Sequence, residues 1–325
     1  MTYLITGGAG YIGAHVVRAL RRAGEQAVVL DDLSTGDAST VPEDTPLAIG
    51  SVLDRAFLDR VFSEHRVTGV IHVAGKKQVG ESVARPLYYY RENVTGLQTL
   101  LEATVEAGVK NFVFSSSAAV YGMPDVDVVT EDMPCAPISP YGETKLVGEW
   151  MVRAVGAKYG MATACLRYFN VAGAAMPELS DSGVFNLIPM VFERFTAGER
   201  PHIFGNDYPT PDGTCIRDYI HVEDLSEAHV EAAHYLAALP TPQNITLNVG
   251  RGEGTSVLDM VELVTEVSRH HELPPVVVQR RPGDPARLVA SADLISAKLD
   301  WKARHGIRDM AVSAWHGWLH RHPRG

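Results

Sequence analysis

Apolar residues in the first half of the chain fall in short β-branched or aromatic runs, separated by stretches where they recur every three or four positions. YLIT (3–6), QAVVL (26–30), PLAI (46–49), GVIHVA (69–74), NFVFSS (111–116) and ATACLRYF (162–169) read as strands. IGAHVVRALRRAG (12–24) and NVTGLQTLLEATVEAG (93–108) carry helical periodicity between them. Strands that are apolar throughout, rather than alternating, are buried on both faces. This order therefore predicts an α/β fold, a doubly wound parallel sheet of Rossmann type covered by helices on both sides.

The regularity weakens after about residue 171, where proline and glycine become frequent and GAAMPELSDSGVFNLIP reads as loop. We expect a first domain over 1–171 and a smaller C-terminal α/β substrate domain over 172–325, built at the carboxyl edge of the sheet. HVEDLSEAHVEAAHYLAAL and ITLNVG, near 220–250, predict a helix and a strand that pack back on the first domain. The boundary is then interleaved.

Composition refines this picture mainly by exclusion. A formal charge of -10 argues against a nucleic-acid binder, while a few placed arginines suffice for a small anion. Cys135, Cys165 and Cys215 are too widely spaced for a disulfide framework or a CxxC metal site, which fits a reducing cytoplasm. MTYLITGGAG has neither a basic start nor an apolar run with a cleavage site, and no apolar stretch approaches about 18 residues. Neither export nor a membrane span is expected. Among the histidines, His270 and His271 diverge, and His316 and His320 have Gly317 where a metalloprotease motif needs glutamate, so no metal is expected. His221 reads as a structural residue at a helix start.

The first chemical signal is TGGAGYIG, in which Gly7, Gly10 and Gly13 link the opening strand to a helix. Glycines there let bare backbone approach a pyrophosphate at the positive end of the helix. The second strand ends at Asp31 and Asp32, whose carboxylates either begin a turn or accept ribose hydroxyls and repel a 2'-phosphate. The second reading favours NAD over NADP.

SPYGETKL (139–146) sets Tyr141 and Lys145 four apart on one helix face, behind a fifth strand that ends at Ser115 to Ser117. Ligands of doubly wound sheets bind at the carboxyl ends of the strands, so Ser117, Tyr141 and Lys145 can converge on a nicotinamide. Bringing a phenol from pKa ~10 to ~7 takes about 4 kcal/mol. A charge about 4 Å away gives ~1 kcal/mol in water and ~4 kcal/mol at an effective dielectric of about 20. Tyr141 and Lys145 are thus a base and its tuner in a partly dry pocket, or a packed tyrosine and a solvated lysine on a surface helix.

Taken together, GGAGYIG, HVAGKKQVGES, FSSSAAVYG, SPYGETK, LRYFNVAGA, IFGNDYPTPDGTCIRDYIHVEDL, LNVGRGEGTSVLDMV and RRPGD span nearly the whole chain. In them the sequence resembles the extended short-chain dehydrogenases/reductases, and within these the UDP-glucose 4-epimerase branch. The resemblance implies that Tyr141 takes the proton of the sugar 4-hydroxyl while hydride leaves C4 for NAD. Ser117 would hydrogen-bond that hydroxyl, and Lys145 would hold the cofactor ribose and depress the tyrosine pKa. The 4-keto sugar would turn over and recover the hydride on its other face, with NAD bound throughout.

Along the cofactor the resemblance places Tyr11, Ile12, Ser51, Val52, Val73, Ala74, Gly75, Lys77, Asn93, Ser115 and Tyr168. Val73 and Ala74 would be buried strand residues in any case. Near the sugar and diphosphate it places Asn170, Asn186 and Leu187, with Arg217 and Arg281 gripping the diphosphate and Asp284 on the uridine ribose. His202 and Phe204 would meet the uracil, although Phe204 equally suits a core. A UDP-sugar partner and a homodimer are implied.

Four departures stand out. Ser51 replaces an aspartate that contacts adenine, Ala119 replaces a threonine, and one residue is missing between Ser117 and Tyr141. Leu288 replaces a tyrosine, which leaves room at sugar C2 for an N-acetyl group. UDP-glucuronate and UDP-pentose 4-epimerases would use the same trio. A 4,6-dehydratase would need an Asp-Glu pair where SSSAAVYG has alanines, and a non-catalytic NAD-sensing protein would need neither Tyr141 nor Lys145.

Overall fold

The computed structural model describes residues 1–281 and 283–323; Pro282 of the RRPGD motif and the last two positions lie outside the described residues. The first half runs β1 (Thr2–Thr6), α1 (Tyr11–Arg22), β2 (Gln26–Asp31), β3 (Leu47–Ile49), α2 (Arg55–His65), β4 (Gly69–His72), α3 (Val79–Ala84), α4 (Pro86–Tyr89), α5 (Gly96–Glu106), β5 (Asn111–Ser115), α6 (Pro140–Tyr159) and β6 (Ala162–Tyr168). The second half adds β7 (Asn170–Ala172), α7 (Leu187–Thr196), β8 (His202–Phe204), β9 (Ile216–His221), α8 (Val222–Ala238), β10 (Asn244–Val249), β11 (Gly254–Ser256), α9 (Val257–Ser268), β12 (Val276–Val278), β13 (Arg287–Leu288), α10 (Asp293–Leu299) and α11 (Ile307–Arg321).

Seven strands form one parallel sheet in the order β10-β6-β5-β4-β1-β2-β3. The doubly wound expectation holds because Leu4, Ile5, Val28, Val29, Val70, Ile71, Phe112 and Val113 are all buried, each sheet face having its own core. One core packs α1 and α8 on the sheet, the other α2 and α5. The winding reverses between β1 and β4, and in such sheets the crevice at the reversal is where ligands bind. α8 lies against α1 and β10 pairs with β6, so the second half of the chain completes the first half's sheet.

The remaining strands build a smaller layer beside the carboxyl edge. β9 pairs with β11, β13 and β7, β8 pairs with β12, and α7, α9 and α11 close on a core around Phe192, Trp315 and Trp318. Ahead of α5, in the periodic stretch 93–108, the chain makes a π-helical turn over Tyr90–Thr95. Such turns are rare and cluster at functional sites. This one carries buried Asn93, whose Oδ1 accepts from Lys76 N–H (2.8 Å) and whose Nδ2 donates to Lys76 O and Thr144 Oγ1 (both 3.0 Å).

Candidate active site

The glycine loop sits at the reversal of the sheet. Gly7 has φ +71°, and a Cβ there would lie 2.7 Å from Ala74 N, so β1 and β4 approach too closely for any side chain. A Cβ on Gly13 would lie 2.0 Å from Gly7 O, which seats α1 directly on the loop. α1 begins with Gly10 as N-cap and no side-chain cap, and no acid stands in its first turn. Backbone donors and an uncompensated positive helix end therefore face the crevice, a cradle that fits a pyrophosphate.

The two aspartates at the end of β2 behave differently. Asp31 is buried and accepts from Leu33 N–H (2.9 Å) and Ala9 N–H (3.0 Å); burial raises its pKa, with the two amides opposing. Asp32 is exposed and accepts from Ser34 N–H (2.9 Å) and Oγ (2.6 Å); burial would raise its pKa, but these bonds outweigh it and hold the carboxyl low. Both residues cap the turn that follows β2, and both line the same cleft.

That cleft, of about 400 Å³, is bordered by Gly7, Gly10, Tyr11, Ile12, Gly13, Asp31, Asp32, Ser51, Val52, Val73, Ala74, Gly75, Lys77, Tyr141, Lys145 and Tyr168. These are sequence candidates for one ligand, and the fold brings them together. Lys76, which the sequence reading passed over, also lines it and donates from Nζ to Ser34 Oγ (2.8 Å) across the mouth. Ser51 uses its hydroxyl to accept from Leu53 N–H (3.2 Å). Asn93 and Ser115 do not border the cleft; they lie behind it, Asn93 fixing the Lys76 backbone.

Ser139 caps α6 and accepts from Gly142 N–H, with Pro140 in the first turn, so SPYGETKL does open a helix. One turn in, Tyr141 and Lys145 are both buried. Lys145 Nζ donates to the Ser115 carbonyl (2.9 Å) and stands 6.0 Å from the Tyr141 ring centre. Burial lowers the lysine pKa to about 8. Ser117, at the start of a 3-10 turn, accepts from Ala119 N–H (3.2 Å) and hydrogen-bonds Tyr141.

Burial raises the Tyr141 pKa above 10, and the Ser117 bond pulls it down only in part. In this state desolvation outweighs the Ser117 bond at the phenol, and Lys145 gives one of its three N–H donors to a carbonyl. Further positive charge has to enter the cleft before the phenolate is favoured.

A second cleft, of about 250 Å³, is lined by Asn170, Asn186, Leu187, His202, Phe204, Arg217, Arg281 and Asp284. Phe185 borders both clefts. Arg217 Nη2 donates to Asp284 Oδ1 (3.1 Å), and the Arg281 guanidinium lies 3.8 Å over the Phe204 ring. Phe204 is half-buried and faces the cleft, so it is not a core residue. Leu288 lines neither cleft; it packs with Ala118, Val120, Tyr121 and Phe169.

Three features besides Lys76 escaped the sequence reading. Phe185 is an apolar side chain in a stretch that otherwise reads as loop. Asp181 borders the first cleft near Lys77 (3.9 Å) and accepts from Asn186 Nδ2 (2.9 Å). Between α6 and β6, Glu149 and Arg167 form a buried ion pair (2.7 Å). One further group among the described residues, His221, Glu223 and His305, lies within reach of a single cation. Its members are already partnered: His221 Nδ1 accepts from Glu223 N–H (3.1 Å), His305 Nδ1 donates to Asp224 (2.9 Å) and Glu223 faces Arg22 (2.9 Å). His221 is the cap of α8, as its place in the sequence suggests.

Comparison with known proteins agrees with this geometry. Residues 3–250 match the family described as "NAD dependent epimerase/dehydratase family". A UDP-glucose 4-epimerase of Azospirillum brasilense is 46% identical over 97% of this chain and 91% of its own. A crystal structure of a UDP-glucose 4-epimerase superposes with a TM-score of 0.93 at 42% identity, covering 100% of this chain and 99% of the other. That of Bifidobacterium longum, in complex with NAD+ and UDP, gives 0.91 at 35% identity over 99% of both chains. With its glycine cradle, its Tyr-Lys helix and this match over most of its length, the chain belongs to the NAD-dependent epimerase/dehydratase family.

Proposed function

We propose that the chain interconverts UDP-galactose and UDP-glucose, epimerising C4 of the hexose through a transient 4-keto sugar with NAD as cofactor. The observation that carries this is the joining of two clefts: Tyr141, bonded to Ser117, and Lys145 border the first, and Phe185 links that cleft to one lined by Arg217, Arg281 and Asp284. The names of the similar proteins support the same reading.

NAD, when bound, supplies the hydride acceptor and donor and a positive nicotinamide. The cradle of Gly7, Gly10 and Gly13 would hold its pyrophosphate, Asp31 and Asp32 its adenosine ribose, and Lys145 the other ribose. Tyr141 would hold and return the proton of the 4-hydroxyl, and Ser117 would orient that hydroxyl. Arg217 and Arg281 would grip the diphosphate with planar donors, and Asp284 would meet the uridine ribose. Ala118 and Ala119 beside Ser117 offer no acid–base pair, which weighs against dehydration.

We also place the division between cofactor and substrate duties near residue 171 and infer a cytoplasmic homodimer. The free cysteines support a reducing compartment. Among the described residues no helix is long and apolar enough to cross a membrane.

The test is direct. Purified protein should release NAD on denaturation and convert UDP-galactose to UDP-glucose without added cofactor; a protein that does neither would end this reading. Gly13→Ala should purify with little NAD, because its methyl group cannot be accommodated 2.0 Å from the Gly7 carbonyl. The ratio of absorbance at the adenine and protein maxima reads this, and full NAD occupancy would remove the cradle from the site.

A further inference from the structure

His229, on α8, is fully buried on the side of the sheet away from the Tyr-Lys helix. Its Nδ1 lies 2.9 Å from the Leu225 carbonyl one turn back, so Nδ1 carries the proton and Nε2 is an acceptor. Nε2 lies 2.7 Å from Ser115 Oγ, which makes the serine hydroxyl the donor. Ser115 is also fully buried and is the last residue of β5. Its backbone is held on both sides: Ser116 N–H donates to Leu166 O (2.8 Å), and Lys145 donates to the Ser115 carbonyl (2.9 Å). β4 ends at His72, opposite Phe114, so the ladder stops short of this carbonyl and the lysine takes it. The Tyr168 hydroxyl also bonds Ser115, and its ring centre stands 6.2 Å from that of His229.

We propose that His229 is a positioning residue: by accepting the Ser115 hydroxyl it fixes the strand end whose carbonyl holds the Lys145 ammonium toward the cofactor cleft. The proposal deepens the assignment of Lys145 made above and rests on it. Among the described residues Lys145 has no carboxylate partner, so the carbonyl is its main anchor. The groups around it are His72 on β4, Tyr141 on α6, Tyr168 on β6 and His229 on α8. Burial holds His72 near pKa about 3 and His229 near about 4, and it raises both tyrosines. Lys145, at about 8, is the group of this set that titrates closest to neutrality.

Three variants test this: His229→Leu, His229→Gln and Ser115→Ala. NAD affinity is read by quenching of tryptophan fluorescence, and the pH profile of kcat is read on UDP-galactose. Loosening one charge-assisted hydrogen bond should weaken NAD binding roughly tenfold in His229→Leu. The alkaline limb should move to lower pH in His229→Leu and Ser115→Ala, since a lysine that loses its carbonyl is less readily charged. His229→Gln, whose amide can accept from Ser115 and donate toward Leu225, should restore most of both.

Unchanged affinity and an unmoved limb in His229→Leu and Ser115→Ala would overturn the proposal. So would a glutamine variant as impaired as the leucine variant with the limb unmoved, which marks simple packing. If His229→Leu does not fold, Ser115→Ala decides by the same two readouts. NAD affinity is measured without sugar, so wild-type protein that binds NAD but leaves UDP-galactose unchanged would count against the substrate reading alone.

Discussion

Tyr141→Phe is expected to lower kcat on UDP-galactose by about 10²–10⁴-fold, the range for losing a positioned acid–base group. The substitution removes one oxygen from a buried ring that borders the cleft, and one bond, to Ser117. The glycine cradle and the Arg217–Asp284 pair keep all their side chains, so NAD content and KM should hardly move. Stability should stay level or rise, because a buried hydroxyl that costs desolvation is gone. Steady-state kinetics with NAD quantified on the same sample checks the result; a variant within threefold of wild type would remove Tyr141 from the mechanism.

Arg167→Met should produce the largest loss of stability. Arg167 donates from Nε (2.9 Å) and Nη2 (2.7 Å) to Glu149, and from Nη1 to Tyr121 Oη (3.0 Å) and Glu131 O (3.2 Å). Glu149 also accepts from Ser116 Oγ (2.5 Å), the residue before Ser117. Both charges are buried, so removing the arginine strands a carboxylate in a dry interior. Breaking such a pair from one side costs about 3–5 kcal/mol. For a chain of 325 residues that is a fall in Tm of roughly 4–7 °C.

The sign of the pH dependence follows. An unpaired buried Glu149 has its folded pKa raised, so the variant's deficit relative to wild type should shrink at acid pH and grow as pH rises. Glu149→Leu in the same background should return much of the loss, because an apolar pair of similar volume avoids both desolvation costs. Thermal melts at two pH values separate these outcomes, and a deficit independent of pH would contradict the account.

Both residues of this pair were visible in the sequence without being read. Glu149 continues the row Tyr141, Lys145 on one face of α6, so a helix face aimed at the sheet carries a third polar group. Arg167 interrupts ATACLRYF, a strand apolar enough to be buried on both sides, where a charge needs a partner. The strands were legible because burial on two faces leaves no room for polar residues. The π turn over 90–95 was not, because one extra residue in a helical turn barely disturbs the periodicity on either side. Phe185 and Asp181 were hidden for another reason: their segment has no period, and its position is set by the clefts it borders. Sequence spacing showed that Lys145 lies near Tyr141 but not that the Ser115 carbonyl takes one of its donors.

Strand β10 pairs with β6 although 81 residues separate Tyr168 from Val249. At about 5–20 residues per second a ribosome needs roughly 4–16 s to make that interval. Throughout it the β6 edge is bare, and until α8 is made at residues 222–238 α1 is uncovered as well, the state most open to pairing with a neighbour. The nucleotide cradle, encoded in the first dozen or so residues, thus waits on the late part of the message. Chaperone demand during synthesis should peak in that window.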